Sequence, residues 1–174
     1  MKQSNQFTIK ISVLDLLKFG RYPYSKDNLT KEDLDIIDHY MDYLHIRQYR
    51  DRYINELSGG QRQRVLIAMM LIQQTPWILL DEPLNNLDIY NSKLIMKILR
   101  DIVDKENKTV IMVIHDINFA ANYSDNIMIL DYLSKNSYKD KTENIINKTV
   151  LEELYHTDID IINHKGKLLC NYFS

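Results

Sequence analysis

The sequence predicts an α/β fold in which helices pack on a layered, mostly parallel sheet. Two short apolar runs, residues 77–80 and 109–114, lack the alternation of a half-buried strand and are typical of strands buried on both faces. Apolar residues at helical spacing lie between them, at Leu94, Ile95, Ile98, Leu99, Ile102 and Val103. This strand, helix, strand order favours parallel pairing, and further alternation follows it along the chain.

The composition is that of an ordinary globular domain, and it excludes several classes of protein. The 174 residues are 45% hydrophobic and 26% charged, which suits one domain with a core. A net charge of -2 indicates no broad basic surface, so nucleic acid is not an expected partner. The single cysteine, Cys170, excludes an internal disulfide. No apolar run approaches the roughly 18 residues that span a bilayer, and the N-terminus lacks a secretory signal, so a cytoplasmic location is expected.

Two helix starts are predicted in the first third of the chain. Ser12 with Asp15 has the pattern of a helix cap, and Gly20 suits the end of that helix. Thr30 is predicted to cap a second, amphipathic helix. Its apolar face carries Leu34, Ile37, Met41 and Leu44, and the acidic residues Asp33, Asp35 and Asp38 are predicted largely on the other face.

Residues 57–61, with the sequence LSGGQ, predict a helix start that can bind an anion. Ser58 and Gln61 form a Ser-x-x-Gln capping box, which supplies partners for backbone donors at the start of a helix. Gly59 and Gly60 lack Cβ atoms, so another molecule can approach the backbone closely. Free N–H groups and the positive end of the helix dipole favour a phosphate at such a position.

Asp81 and Glu82 follow the first apolar run directly. Ligands bind at the carboxyl ends of strands in open α/β sheets, and adjacent carboxylates there are costly unless they serve a cation or a water molecule. Asp81 is therefore predicted to bind Mg²⁺, and Glu82 to orient and polarise water. Ser-Gly-Gly alone is commonly a plain loop, and Asp-Glu-Pro alone is commonly a helix start. Their joint occurrence, separated by a helix and a strand, favours a functional site over a structural role.

The C-terminal third predicts smaller elements. The spacing of apolar residues predicts a short helix over residues 116–122 and a third strand over residues 126–130. Thr149 and Glu152 have the spacing of another capping box. Residues 164–167 are predicted to turn between two short terminal strands.

These motifs together resemble the nucleotide-binding subunit of an ABC transporter, over nearly the whole chain. The resemblance rests on LSGGQ at 57–61, ILLDEP at 78–83, LNNLD at 84–88 and His115 after the second strand. It implies a partial P-loop NTPase fold, RecA-like, with a layered mostly parallel sheet and an ABC-type α-helical subdomain. The implied divisions are 1–11 for the glutamine loop and entry, 12–75 for the helical subdomain and 76–174 for the RecA-like portion.

The resemblance also implies ATP and Mg²⁺ as ligands and assigns the residues around them. The signature residues, which serve the nucleotide of a neighbouring subunit, are Leu57, Ser58, Gly59, Gly60 and Gln61. The catalytic residues are Glu82 and His115, the Mg²⁺ ligands are Asp81 and Gln3, and the D-loop comprises Asn85, Asn86, Leu87 and Asp88. Two alternatives stay open: Gln3 as part of a frayed terminus, and His115 as a structural histidine.

The segment FGRYPY, residues 19–24, is similar to one in ABC ATPases that energise uptake of iron-siderophores, haem and vitamin B12. A Gly-Arg-aromatic-Pro turn also simply ends a helix, so the subfamily is a hypothesis. The tyrosines near it could dock a transporter's cytoplasmic helix, because aromatic residues are enriched at interfaces, or could pack within a small helical lobe. These tyrosines are Tyr22, Tyr24, Tyr40, Tyr43, Tyr49 and Tyr53.

The P-loop motif G-x-x-x-x-G-K is absent from the 174 residues, whose glycines are Gly20, Gly59, Gly60 and Gly166. In the family it precedes the glutamine matched by Gln3, so the chain resembles an N-terminally truncated subunit. Losing three or more phosphate contacts would weaken nucleotide binding by at least about a thousandfold. We therefore expect a homodimer of this chain to be inactive, and an apolar sheet edge beside residues 109–114 to reduce its solubility.

The sequence is compatible with three candidate functions. The first is an ATPase subunit of an iron-siderophore importer, peripheral to the plasma membrane on its cytoplasmic face. Its implied partners are a polytopic permease, a second ABC ATPase subunit and a periplasmic or lipoprotein ligand-binding protein. The second is a non-catalytic module that completes one composite ATP site in a heterodimer. The third, an ABC protein of DNA repair or translation, is disfavoured by the charge balance, the lack of a coiled-coil insertion and FGRYPY.

Overall fold

The computed structural model describes residues 10–26, 28–131 and 136–173, so the predicted Mg²⁺ ligand Gln3 lies outside the described residues. The chain divides into two compact units, Met1–Met112 and Val113–Ser174. None of the described helices is long and apolar enough to cross a membrane. The α/β class predicted from the sequence is confirmed.

The first unit begins with a group of helices. They are α1 (Val13–Phe19), α2 (Tyr22–Ser25), α3 (Lys31–Tyr43) and α4 (Gly59–Ile72), with short 3₁₀ turns at Arg47–Tyr49 and Ile54–Glu56. Both predicted caps are confirmed: Ser12 Oγ accepts from the backbone N–H of Asp15 at 3.1 Å, and Thr30 Oγ1 accepts from that of Asp33 at 3.2 Å. α4 packs against α1 and α3.

Gly20 ends α1, as predicted, but for a different reason. Its backbone is ordinary right-handed helix, with φ -59° and ψ -26°. A Cβ at Gly20 would lie 2.7 Å from the carbonyl oxygen of Met69 and 3.0 Å from a methyl group of Ile72. The glycine is needed because α1 ends close against α4, and a side chain there would displace one of the helices.

The predicted faces of α3 are wrong at two positions. Leu34 is 43% exposed, and Asp33, predicted among the outward acidic residues, is 3% exposed. Asp33 is buried because Arg21, from outside the helix, donates from Nε to its carboxylate at 2.7 Å. Burial of a carboxylate is tolerable only with such a partner, and the partner cannot be found from the periodicity of one helix.

Arg21 connects three elements of the first unit. Besides Asp33, its guanidinium donates to the carbonyl oxygen of Ile72 at 3.0 Å and to the side-chain oxygen of Gln74 at 2.9 Å. It also lies 4.2 Å from the centroid of the Tyr24 ring, and Tyr24 donates its hydroxyl to the carbonyl of Gln73 at 2.6 Å. FGRYPY therefore caps the C-terminal end of α4, whose last carbonyls would otherwise lack partners.

A strand, helix and strand complete the first unit: β1 (Trp77–Asp81), α5 (Ile89–Glu106) and β2 (Thr109–Val113). β1 and β2 pair in a small parallel sheet, and in the described chain each has only the other as partner. The backbone N–H of Thr109 donates to the carbonyl of Pro76 at 2.9 Å where the pairing begins. The strands and the crossover helix agree with the sequence-based prediction.

The prediction that these strands are buried on both faces is wrong. Ile78 and Leu80 of β1 are buried, but Trp77 is 59% and Leu79 69% exposed, and Ile111 of β2 is 52% exposed. A continuous apolar run does not reveal how many faces are covered, and within the described chain one face is not. An exposed apolar strand face is an aggregation liability.

We expect the double substitution Leu79→Thr and Ile111→Thr to reduce aggregation of the isolated chain. Threonine keeps high strand propensity while removing exposed apolar surface, so the melting temperature should change little. Light scattering against protein concentration, with thermal melting alongside, measures both effects. Leu34→Gln removes an exposed apolar residue from a helix and serves as the control. Equal aggregation of the double variant and the natural chain would contradict the prediction.

The second unit contains three further helices and two antiparallel hairpins. Its elements are α6 (Ile117–Tyr123), β3 (Asn126–Asp131), β4 (Asn136–Lys141), α7 (Thr142–Ile145), α8 (Lys148–Tyr155), β5 (Asp160–His164) and β6 (Lys167–Asn171). Asn126 pairs with Lys141 in the first hairpin, and His164 with Lys167 beside the predicted terminal turn. The core of this unit comprises Ala121, Ile129, Ile145, Ile146, Leu151, Ile159 and Cys170.

The capping box predicted at Thr149 and Glu152 is wrong. α8 is capped by Asn147, whose side chain accepts from the backbone N–H of Val150 at 3.0 Å. Glu152 accepts instead from the backbone N–H of Ile159 at 3.3 Å, across the turn that follows the helix. Asparagine is as good an N-cap as serine or threonine. Asn147 and Thr149, two residues apart, are therefore both chemically able to cap the start of a helix.

Candidate functional site

The signature turn, residues 57–61, starts α4 as predicted. Ser58 is the N-cap residue, and its hydroxyl accepts from the backbone N–H of Gln61 at 3.4 Å. Gln61 completes the capping box by accepting from the backbone N–H of Ser58 at 3.0 Å. The N–H groups of the glycines that follow belong to the first turn of the helix, where backbone donors have no partner within it.

The residues of the signature turn differ in accessibility. Ser58 and Gly59 are exposed, whereas Leu57 and Gly60 are buried. The side chain of Gln61 is used within the chain, because its amide also donates to the hydroxyl of Tyr49 at 3.0 Å. Ser58 and Gly59 are therefore the members of the turn best exposed to a ligand, with Gln61 orienting them. No pattern in the sequence indicates that Tyr49 takes part.

The D-loop, residues 85–88, lies against the signature turn. A Cβ at Gly59 would lie 3.6 Å from both the carbonyl oxygen of Asn86 and a methyl group of Leu87. The loop is a tight turn in which Asn85 donates its backbone N–H to the carbonyl of Glu82 at 3.1 Å and Asn86 has φ 60°. The structure thus brings together two segments that sequence reasoning had placed separately.

Asp88 ends the D-loop and caps α5. Its carboxylate accepts from the backbone N–H of Asn91 at 2.7 Å and from the side-chain amide of Asn91 at 2.9 Å. These hydrogen bonds favour the ionised form and hold the pKa of Asp88 below its usual range. The residue is therefore an anion at neutral pH, at the positive end of the α5 dipole.

Asp81 and Glu82 stand at the carboxyl end of β1. Asp81 is the last residue of the strand and is exposed. Glu82 has φ 47°, in the left-handed region that costs a residue with a Cβ roughly 1–2 kcal/mol. The side-chain amide of Asn85 donates to the Glu82 carboxylate.

The donor set at this strand end fits a magnesium ion that is shared with a phosphate. Mg²⁺ in phosphate-transferring sites is held by one or two carboxylates, with water and phosphate oxygens completing its six ligands. Asp81 supplies one accessible carboxylate. Across the described ranges, no group of three or more His, Cys, Asp or Glu side chains could hold a metal without a substrate.

His115 follows β2 and belongs to the second unit. Its side chain is exposed, and the next residue, Asp116, caps α6 by accepting from the backbone N–H of Asn118 at 2.8 Å. The cap fixes the backbone directly after His115. The assignment of His115 to the γ-phosphate remains a prediction.

Comparisons with known proteins agree with these features. The family described as "ABC transporter" matches residues 1–85. The chain is 45% identical over 177 residues to the petrobactin import ATP-binding protein YclP of Bacillus subtilis (strain 168), covering 100% of this chain and 69% of that protein. It is 44% identical over 162 residues to the petrobactin import ATP-binding protein FatE of Bacillus anthracis, covering 93% of this chain and 64% of that protein.

A solved structure shares the fold over almost the whole chain. An inward-facing conformation of a metal-chelate type ABC transporter superposes with a TM-score of 0.85 and 26% identity, covering 99% of this chain and 70% of that chain. The partial P-loop NTPase fold predicted from the sequence is thereby confirmed. The signature turn, the D-loop and the identity to two ATP-binding proteins lead to one conclusion: the chain belongs to the ABC transporter ATP-binding protein family.

Proposed function

We propose that this chain acts as an ATP-binding subunit, or part of one, that energises an ABC importer of iron-siderophore-like ligands. The observation that carries the proposal is the exposed start of α4 at Ser58 and Gly59, packed on the D-loop. Petrobactin import in the names of two relatives, and FGRYPY at residues 19–24, support the class of ligand.

Under this proposal each predicted site residue has a chemical task. Ser58 and the backbone N–H of Gly59 bind the terminal phosphate of a nucleotide that a second subunit holds. Asp81 binds Mg²⁺, which when present offsets the charge of the phosphates. Glu82 accepts a hydrogen bond from the attacking water and orients it, and His115 donates to the terminal phosphate. The division of residues between two nucleotides makes a dimer necessary.

The 174 residues contain no P-loop motif, and the proposed tasks divide between two half-sites. The signature turn can serve a second subunit that holds ATP on a P-loop of its own. The resemblance assigns Asp81 and Glu82 to the other half-site, whose P-loop motif does not occur among the 174 residues. A non-catalytic module in a heterodimer remains the second candidate, and this division favours it for the chain in isolation.

The importer would place the chain at the cytoplasmic face of the membrane, bound to a polytopic permease. A periplasmic or lipoprotein ligand-binding protein would meet it through the complex, and nucleic acid is not expected. Tyr22 and Tyr24 are 52% and 57% exposed, whereas Tyr40 is buried, which favours the first two as permease contacts. Tyr40 has a separate role, donating its hydroxyl to Glu106 at 2.9 Å.

We expect the 174-residue chain alone to show no Mg²⁺-dependent ATP hydrolysis above the blank. Mixing it with an ABC subunit that carries an intact P-loop should produce turnover, because the signature turn then completes a site. Phosphate release with each protein alone and with the mixture measures this. The additional turnover should disappear when the signature of this chain is altered. Hydrolysis by the chain alone that Glu82→Gln abolishes would contradict the expected inactivity of the isolated chain.

A further inference from the structure

Asn91, in the first turn of α5, lies directly against Gly60 of the signature turn. A Cβ built on Gly60 would lie 2.4 Å from Oδ1 and 2.5 Å from Cγ of Asn91, far inside van der Waals contact. The backbone of Gly60 is not in the left-handed region, so its conformation alone does not require glycine. Gly60 therefore lacks a side chain, in this fold, because the Asn91 amide occupies that space.

The orientation of the Asn91 amide is set by the D-loop. Its Nδ2 donates to Asp88 at 2.9 Å, and its backbone N–H donates to the other oxygen of the same carboxylate at 2.7 Å. A carboxylate accepts but does not donate, so the amide nitrogen must face Asp88. Of the polar atoms of that amide, the oxygen is the one nearer to the Cβ position of Gly60. One side chain thus joins the end of the D-loop to the second residue of α4.

The other contacts between these segments are weaker. Asn86 and Leu87 come within 3.6 Å of the Cβ position of Gly59, which is ordinary van der Waals distance. The Asn91 amide packs closer, against the Cβ position of Gly60, and the hydrogen bond from its Nδ2 to Asp88 fixes its orientation there.

We propose that Asn91 is a positioning residue that holds the signature turn and the D-loop in one fixed arrangement. The inference rests on the proposed function, under which Ser58 and Gly59 must meet a phosphate held by another subunit. A turn that is already held in place loses less conformational freedom when that phosphate binds. Asn91 touches no substrate in this scheme and acts through Gly60 and Asp88.

The contact with Gly60 is tested by a thermal melting cycle on the full chain. Gly60→Ala should lower the melting temperature by roughly 4 °C, because the methyl group displaces the Asn91 amide. In the Asn91→Ala background the same change should be neutral or stabilising, since the space is open and alanine favours helix over glycine. An equal loss in both backgrounds would overturn the contact.

The positioning role is tested by the distance between spin labels at residues 62 and 90, both exposed in the natural chain. The natural Cys170 is buried and should not react with the label. Asn91→Ala should broaden the distance distribution at least about twofold. Asn91→Asp, similar in shape but unable to donate to Asp88 when ionised, should broaden it equally.

Lys93→Ala, at an exposed position on the same helix, is the matched control and should leave the distribution unchanged. If the distance distribution between the spin labels keeps its natural width in both Asn91 variants, the proposal is overturned. Neither measurement uses nucleotide, so a failure of the ATPase experiment and a failure of the Asn91 experiment are separate results.

Discussion

Ser58→Asp is expected to reduce the ATP turnover of a complex between this chain and an intact ABC subunit by about a hundredfold or more. The hydroxyl at the start of α4 would be replaced by a carboxylate that repels phosphate, and a hydrogen bond to a charged group, about 1.5–3 kcal/mol, would be lost. Aspartate is as good an N-cap as serine, so α4 should keep its start. Phosphate release and thermal melting, measured together, separate the two effects.

A matched control is Ser12→Asp, which makes the same exchange at the N-cap of α1. It should leave turnover near the natural value, because Ser12 is not part of the signature turn. Under the proposed function Glu82 serves the nucleotide of the other half-site, so Glu82→Gln in the same complex should also have little effect on this turnover. A large loss from Glu82→Gln with none from Ser58→Asp would reverse the assignment of the two half-sites.

Arg21→Met is expected to lower the free energy of unfolding by about 3–5 kcal/mol, because it leaves the Asp33 carboxylate buried without its ionic partner. It also removes the hydrogen bonds to the end of α4 at Ile72 and Gln74. Urea unfolding followed by circular dichroism measures the loss. Lys18→Met breaks the exposed pair with Asp15 and should cost less than about 1 kcal/mol. Similar losses from both variants would contradict the prediction.

The ion pair between Arg21 and Asp33 also makes the stability of the protein depend on pH, in a direction that follows from the pKa of Asp33. Hydrogen bonds from the backbone of Thr30, and then from Arg21, hold the pKa of Asp33 below its usual range. A group with a lowered folded-state pKa adds stability above its unfolded value, near 4, and that contribution disappears as the pH falls through the folded value. Asp33→Asn should therefore flatten the stability curve on the acid side of about pH 4. An unchanged slope would show that other carboxylates dominate there.

Local chemistry was predictable from the sequence wherever one segment determines it. The caps at Ser12, Thr30 and Ser58 are confirmed because a cap depends on residues within about four positions of each other. The Asn147 cap shows the limit of that approach. Asn147 caps α8, and Glu152 accepts a hydrogen bond from Ile159, seven residues along the chain, in place of the predicted capping box.

The candidate site was predictable as a set of segments, but not as an arrangement. The order of motifs between residues 57 and 88 indicated the family, and the comparisons confirm it. Nothing in the pattern indicated that Tyr49 orients Gln61 or that Asn91 fills the space beside Gly60. Glycine in the signature could be explained by ligand approach alone, and the second explanation requires knowing which helix lies next to it.

The sequence by itself determined the family, the class of fold and the caps at Ser12, Thr30 and Ser58, because each of these depends on residue type and short spacing. Only the tertiary structure decided that Asp33 is buried, that one face of β1 is exposed and that the D-loop lies on the signature turn. These features depend on contacts between segments far apart in the chain. Burial, charge pairing and close packing are properties of such contacts, and a one-dimensional pattern does not contain them.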